Sequence, residues 1–229
     1  MKILAVDTST KRLNVCISEG ETVRAEISCD TNETHSKTIM PAIDSLLRAV
    51  KWDLSTIDGF AVTQGPGSFT GIRIGIAAVK GLASAVGKPV VGISTLEVLA
   101  YQAGGFSGPV CAMLDARKNE VFSGFFRWLD NRPCRMENET VGPIKKVLDV
   151  IDEPCLFIGS GAKLYEPEIV RHTGSLAVFP PLHDHAVRSS MVGRIGYMKF
   201  CSTTALGASE IRPTYLRPPD AVLKIVRRG

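Results

Sequence analysis

Residues 59–87, GFAVTQGPGSFTGIRIGIAAVKGLASAVG, limit what this chain can fold into more than any other stretch: a buried strand, a forced reversal and a long helix follow one another directly. Gly59, Phe60, Ala61, Val62 and Thr63 make a short apolar run closed by turn residues, the pattern of a covered strand. Gln64-Gly65-Pro66-Gly67 then reverses the chain, because glycine reaches the positive φ that such corners need and proline fixes its own. Ser68 stands where a helix cap belongs. From Phe69 to Val86 there is no proline, and Ile72, Ile76, Val79, Ala83 and Val86 recur at helical spacing on one face.

The remaining sides of this helix are nearly bare. Gly71, Gly75 and Ala78 offer almost no side chain, and Arg73 and Lys80 are its only charges. A helix apolar or bare nearly all round is covered on more than one side. A glycine in a helix interior costs about 1 kcal/mol relative to alanine, so close approach by another backbone is the usual compensation. That neighbour is either another element of the same fold or a second polypeptide, and the helix alone leaves both open.

The 229 residues suffice for one sizeable core or two smaller lobes, and 45% hydrophobic with 22% charged residues is ordinary globular composition. The apolar run before Asp7 is too short for a signal peptide, and Arg73 and Lys80 interrupt the long helix, so no membrane span and a cytoplasmic location are expected. The six cysteines, Cys16, Cys29, Cys111, Cys134, Cys155 and Cys201, form no C-x-x-C pair and read as reduced thiols rather than as a zinc site. A net charge of +4, with basic residues clustered only at Lys224 to Arg228, is compatible with a weak nucleic-acid contact and establishes none.

Three strands at residues 2–6, 13–18 and 22–28 form a meander, followed by an amphipathic helix over residues 35–50 with Ile39, Ile43, Leu46, Leu47 and Val50 on one face. Pro41 suits that helix only if it begins near Thr38. A strand at 89–93 and a helix capped by Ser94-Thr95 complete the first half. The second half begins similarly: residues 110–122 repeat the order strand, aspartate, polar turn, strand seen in residues 3–15, which argues for two lobes of similar plan, 1–103 and 104–229, facing a cleft. A short helix over 143–150, a strand over 155–158, a helix over 163–172, a strand over 176–179, a helix over 185–200 and an extended tail from Ile211 are expected to follow.

The turn at residues 65–71 could hold an anion at a helix N-terminus, but it is no P-loop, because Gly71 is followed by Ile72-Arg73 and not by a lysine and a hydroxyl residue. Its G-x-G-x-x-x-G spacing is also wrong for a dinucleotide fold. Asp7, with Ser9 and Thr10, and Asp115 could hold magnesium and a phosphate across the cleft; plain Asp turns are the favoured reading. Gly159-Ser160-Gly161 could sit beside an adenine or simply start a helix. His183-Asp184-His185 lacks the i, i+4 geometry of a helical metal site, and no nucleophile turn is recognisable.

DTST near the start, QGPGSFTGIRIGIAAVKGLA, GISTLE, DARKNEVF and the late YLR together resemble the bacterial TsaB (YeaZ) family over most of the chain. The resemblance implies an α/β, actin-like (ASKHA) fold of two similar lobes, each a mixed sheet with helices. It implies a role in making threonylcarbamoyladenosine at position 37 of tRNAs that read ANN codons, with a TsaD-like catalytic subunit and a TsaE-like ATPase as partners and a homodimer when alone. In that family the helices of the first lobe make the partner contact. Carried over, this points to Ile39, Ile43, Leu47, Gly71, Ile72, Gly75, Ile76 and Val79. TsaD-like proteins carry H-x-x-x-H where this chain has Thr95-Leu96-Glu97-Val98-Leu99, and neither Thr95 nor Leu99 can replace an imidazole ligand. No metal, no cofactor beyond weak ATP or ADP binding, and no transferase activity of the isolated chain are therefore expected. A nucleotide-dependent phosphotransferase built on Asp7, Asp115, Gly159 and Gly161 is the alternative, and the missing histidine pair argues against a metallopeptidase.

Overall fold

The computed structural model describes residues 1–30, 33–202 and 207–217. Strands β1 (Lys2–Asp7), β2 (Leu13–Glu19) and β3 (Thr22–Cys29) form the meander. Helix α1 (His35–Val50), strand β4 (Gly59–Gly65), helix α2 (Phe69–Val86), strand β5 (Val90–Ser94) and helix α3 (Thr95–Gln102) follow. The first sheet has the order β3-β2-β1-β4-β5, with β4 and β5 parallel to β1.

The second half supplies β6 (Pro109–Asp115), β7 (Glu120–Leu129), β8 (Arg132–Arg135) and β9 (Thr140–Pro143), then α4 (Ile144–Leu148) and β10 (Cys155–Ile158). Helices α5 (Ser160–Leu164) and α6 (Glu166–Thr173), strand β11 (Ala177–Val178) and helix α7 (Ser189–Cys201) complete it. The second sheet runs β11-β10-β6-β7-β8, and β9 also pairs with β7.

Strand alternation divides the core into three layers. Along β1, Ile3 and Ala5 face the space between the sheets, while Leu4 and Val6 face outward to α1 and α2. Along β6, Val110, Ala112 and Leu114 face inward, and Cys111 and Met113 face α4, α5 and α6. The shared inner layer is filled by Leu96, Val98, Leu99 and Ala100 of α3 and by Val192 and Ile195 of α7. Buried strands covered on both faces explain why these segments are nearly continuous apolar runs.

Several elements differ from the sequence reading. Helix α1 starts at His35, so Pro41 lies inside it, at an exposed position that keeps its ring away from the sheet. Ser94, not Thr95, caps α3: the Ser94 hydroxyl accepts from the Leu96 and Glu97 amides, while the Thr95 hydroxyl is buried without a partner. The helix expected over 163–172 is two helices meeting at Tyr165, and residues 182–185 form a separate turn ahead of α7. Strands β8 and β9 carry no apolar alternation strong enough to announce them. Position in the chain assigned α7 to the second lobe, yet it packs on β1, β2, β4 and β5 of the first. Gly196 makes this possible, because a Cβ there would press on the Cβ of Ala61.

All six cysteines are free thiols, and burial pushes Cys16 and Cys155 up to about 12 and Cys111 well above the usual thiol range. By length and composition α2 does meet the requirement for a membrane span, against the expectation from Arg73 and Lys80; here its inward side lies on the first sheet. The basic stretch Lys224 to Arg228 lies outside the described residues.

Candidate partner interface and interlobe cleft

The apolar face of α2 is committed to the chain's own core. Ile72, Ile76 and Val79 are at most 5% exposed and pack with Leu4, Val6 and Val62 of the sheet, and Ile39 and Ile43 of α1 join the same cluster. Leu47 is half-buried against it. Gly71 and Gly75 are buried as well, beneath the turn after β1: the Thr8 hydroxyl donates to Gly71 O at 2.7 Å, and a Cβ on Gly75 would collide with that hydroxyl. Of the eight residues expected to form an interface, seven are thus buried within the chain, and the neighbour that Gly71 and Gly75 make room for is Thr8.

What α2 turns outward is a different strip. Arg73, Ala77, Gly81, Ser84 and Ala85 are exposed, and nothing lies within 4 Å of where a Cβ on Gly81 would be. Beside it α1 exposes Met40, Pro41, Ser45 and Ala49, with Asp44 and Arg48 paired at 2.9 Å. The Ala77, Gly81, Ala85 repeat was legible at i, i+4, i+8, but the stronger Ile and Val periodicity masks it, and that periodicity marks the core.

Asp7, expected to face a cleft, is completely buried, and both oxygens of its carboxylate are engaged. One oxygen accepts from the Ser9 amide at 3.0 Å, the Ser9 hydroxyl at 2.6 Å and the Thr63 hydroxyl at 2.8 Å; the other accepts from the Asn14 side-chain amide at 2.9 Å. Four protein donors surround the buried carboxylate. The turn is sewn to the start of α2, where the Ser68 amide donates to Ser9 O at 2.7 Å and the Ser68 hydroxyl accepts from the Gly71 amide. Thr10 contributes its carbonyl, 2.9 Å from Nε2 of His35.

Asp115 is exposed at the end of β6, its carboxylate accepting from the Arg117 amide at 2.7 Å and its own amide donating to the Ser160 hydroxyl at 3.3 Å. It closes a turn. Gly159, at φ 108°, lies where a Cβ would strike Met113 O, and Gly161 is buried against Leu114, so both are explained by close packing on β6. His185 is buried with Nδ1 3.2 Å from both Gly159 N and Gly159 O, whereas His183 is exposed. The two histidines therefore do not converge. Thr95 and Leu99 are both fully buried in the inner layer. Near the same cap, Ser94 donates to Glu139, which also receives Arg135 at 2.7 Å; burial pushes the Glu139 carboxyl above its ordinary value, outweighing the lowering by Ser94 and Arg135. Sequence reasoning gave Glu139 no role, since Ser94, whose hydroxyl it accepts from, lies 45 residues away in the chain.

A family model described as TsaD, tRNA N6-adenosine threonylcarbamoyltransferase, matches residues 29–166. The tRNA threonylcarbamoyladenosine biosynthesis protein TsaB of Bacillus subtilis is 30% identical over 98% of this chain and 97% of its own length. The chain belongs to the TsaB family. YeaZ from Pseudomonas aeruginosa superposes with a TM-score of 0.81 at 26% identity, covering 94% of this chain and 99% of that one. The ethanolamine utilization protein EutJ from Carboxydothermus hydrogenoformans, at 12% identity and a TM-score of 0.56 over 86% of this chain and 90% of its own, shares the fold alone. The fold of this TsaB-family chain is thus actin-like, of the ASKHA type, and its family works in tRNA threonylcarbamoyladenosine biosynthesis.

Proposed function

We propose that this chain is a non-catalytic, cytoplasmic subunit that pairs with a TsaD-like transferase and, with a TsaE-like ATPase, supports threonylcarbamoyl transfer to adenosine 37 of tRNAs reading ANN codons. The observation that carries the pairing is the outward strip of α2. Beyond Arg73 at its start, Ala77, Gly81, Ser84 and Ala85 give a smooth, uncharged helix surface of the kind another helix can approach closely, on an 18-residue helix only a third of which is buried within the chain. A homodimer through this strip is the expected form when no catalytic subunit is present.

The proposal assigns no transfer chemistry to the chain itself. In the frame where TsaD-like proteins carry two histidines, Thr95 and Leu99 are buried core residues that offer no ligand pair. Nor is nucleotide assigned to it: Asp7 has both carboxylate oxygens engaged by protein donors, and the glycine turn before α2 is closed by Ser9. Both points speak against the phosphotransferase alternative.

The test is a reconstituted modification reaction containing a TsaD-like subunit, a TsaE-like ATPase, threonylcarbamoyl-adenylate and tRNA. Product is expected with this chain present, only background without it, and none from the chain alone. Equal product with and without the chain refutes the reading.

A further inference from the structure

Residues 207–217 run along one flank of α2 and finish on the other lobe. Ser209 O accepts from the Lys80 ammonium at 3.2 Å, Ala208 packs on the outer core, and Ile211 is buried in it. Further on, the Thr214 amide donates to Gln64 O at 2.7 Å. The Tyr215 ring lies 5.0 Å from that of Phe69, which the Arg73 guanidinium also covers at 4.6 Å. Arg217 then reaches the second sheet, where Nη1 donates to Ala116 O at 3.2 Å and the guanidinium pairs with Glu120.

The turn it meets has an uncommon backbone. Arg117, Lys118 and Asn119 have φ of 59°, 56° and 60°, three successive side-chain-bearing residues in the left-handed region that L residues disfavour. Internal bonds from the Ala116 amide to Glu120 O and from the Glu120 amide to Arg117 O, both 3.0 Å, close it. Arg217 engages the turn on both sides, by a hydrogen bond from Nη1 to the carbonyl of Ala116 and by ion pairing with the carboxylate of Glu120, where Nη2 makes no hydrogen bond.

We propose that residues 209–217 are a strap that ties the first lobe to the β6–β7 turn of the second, with Arg217 as the positioning residue that holds Arg117, Lys118 and Asn119 in their left-handed conformation. The strap is anchored on the first lobe by burial, a backbone bond and a ring contact, and on the second by Arg217. It requires no partner or ligand, so it stands or falls separately from the pairing proposed above.

The test is hydrogen exchange on the full-length chain and its Arg217→Gln and Glu120→Gln variants. In both variants the amides of residues 116–121 are expected to exchange at least about tenfold faster, while those of β1 and β4 change less than about twofold. Arg217→Lys, which keeps the charge without the fork, is expected to fall between. Unchanged protection of the turn, or acceleration of equal size across both sheets, overturns the proposal. Should Arg217→Gln fail to fold, Glu120→Gln decides by the same comparison.

Discussion

The hydroxyl of Thr8, just past the end of β1, donates a 2.7 Å hydrogen bond to the carbonyl of Gly71 in the first turn of α2. This contact, one helical turn from Gly75, makes the glycines of α2 unequal. Gly75→Ala places a methyl group against the Thr8 hydroxyl and is expected to destabilise the chain by about 1–3 kcal/mol through overpacking. Gly81→Ala, on the same helix with open space around it, is expected to stabilise by about 0.5–1 kcal/mol. Urea denaturation of the two variants checks both signs, and a common sign for both would contradict the packing described.

Charge introduced on α2 is expected to separate folding from association. Val79→Arg buries an unpaired cation in the outer core, at a cost of about 3 kcal/mol or more, and should lose soluble, cooperatively folding protein. Ala77→Arg and Gly81→Arg place the charge in solvent and should leave the free energy of unfolding within about 1 kcal/mol of the parent's. Size-exclusion chromatography should nonetheless show loss of both the homodimer and the complex with a TsaD-like subunit. Intact complexes for both outward variants would remove this strip as the interface.

These contrasts show where sequence was a sufficient guide. The periods of α1, α2 and the strands depend on local alternation, so Ile39 and Ile43 on α1, and Ile72 and Val79 on α2, could each be recognised as a face from spacing alone. What the glycines Gly71 and Gly75 touch is Thr8, sixty-odd residues away in the chain, and no local pattern encodes it. The two lobes followed from the repeated strand and aspartate, whereas the return of α7 to the first sheet depends on a close approach between Gly196 and Ala61. Asp7 and Asp115 share a place in the repeat but not an environment: Ser9, Thr63 and Asn14 donate to the first, and solvent meets the second.

Asp7 is expected to be structural. In Asp7→Asn the buried site loses the charge that the Ser9, Thr63 and Asn14 donors face, and the new amide meets that of Asn14 unless Asn14 turns over to offer its otherwise unpartnered Oδ1. A loss of about 2–4 kcal/mol is expected. Adding Asn14→Asp restores a carboxylate opposite the amide and should recover part of it, which a double-mutant cycle measures as coupling. Additive losses would show that the two side chains act independently.

Glu139 gives the chain a stability term that depends on pH with a definite sign. Burial, the larger effect, raises its folded-state pKa above the ordinary 4.5, against the lowering by Ser94 and Arg135. Between the ordinary value and the raised one, the folded chain therefore holds a proton that the unfolded chain has released. Stability from this group is then present below about pH 4.5 and is lost as pH rises through the folded value. Glu139→Gln retains a side-chain carbonyl to accept from Ser94 and cannot ionise, so its stability should be flatter with pH across that window than the parent's. Parent and variant curves measured by urea denaturation in steps from pH 4 to 8 should converge toward the acid end, with the variant gaining relative to the parent as pH rises. A variant that loses ground steadily toward neutral pH would mean that the Arg135 ion pair outweighs burial, reversing the direction argued for this carboxyl.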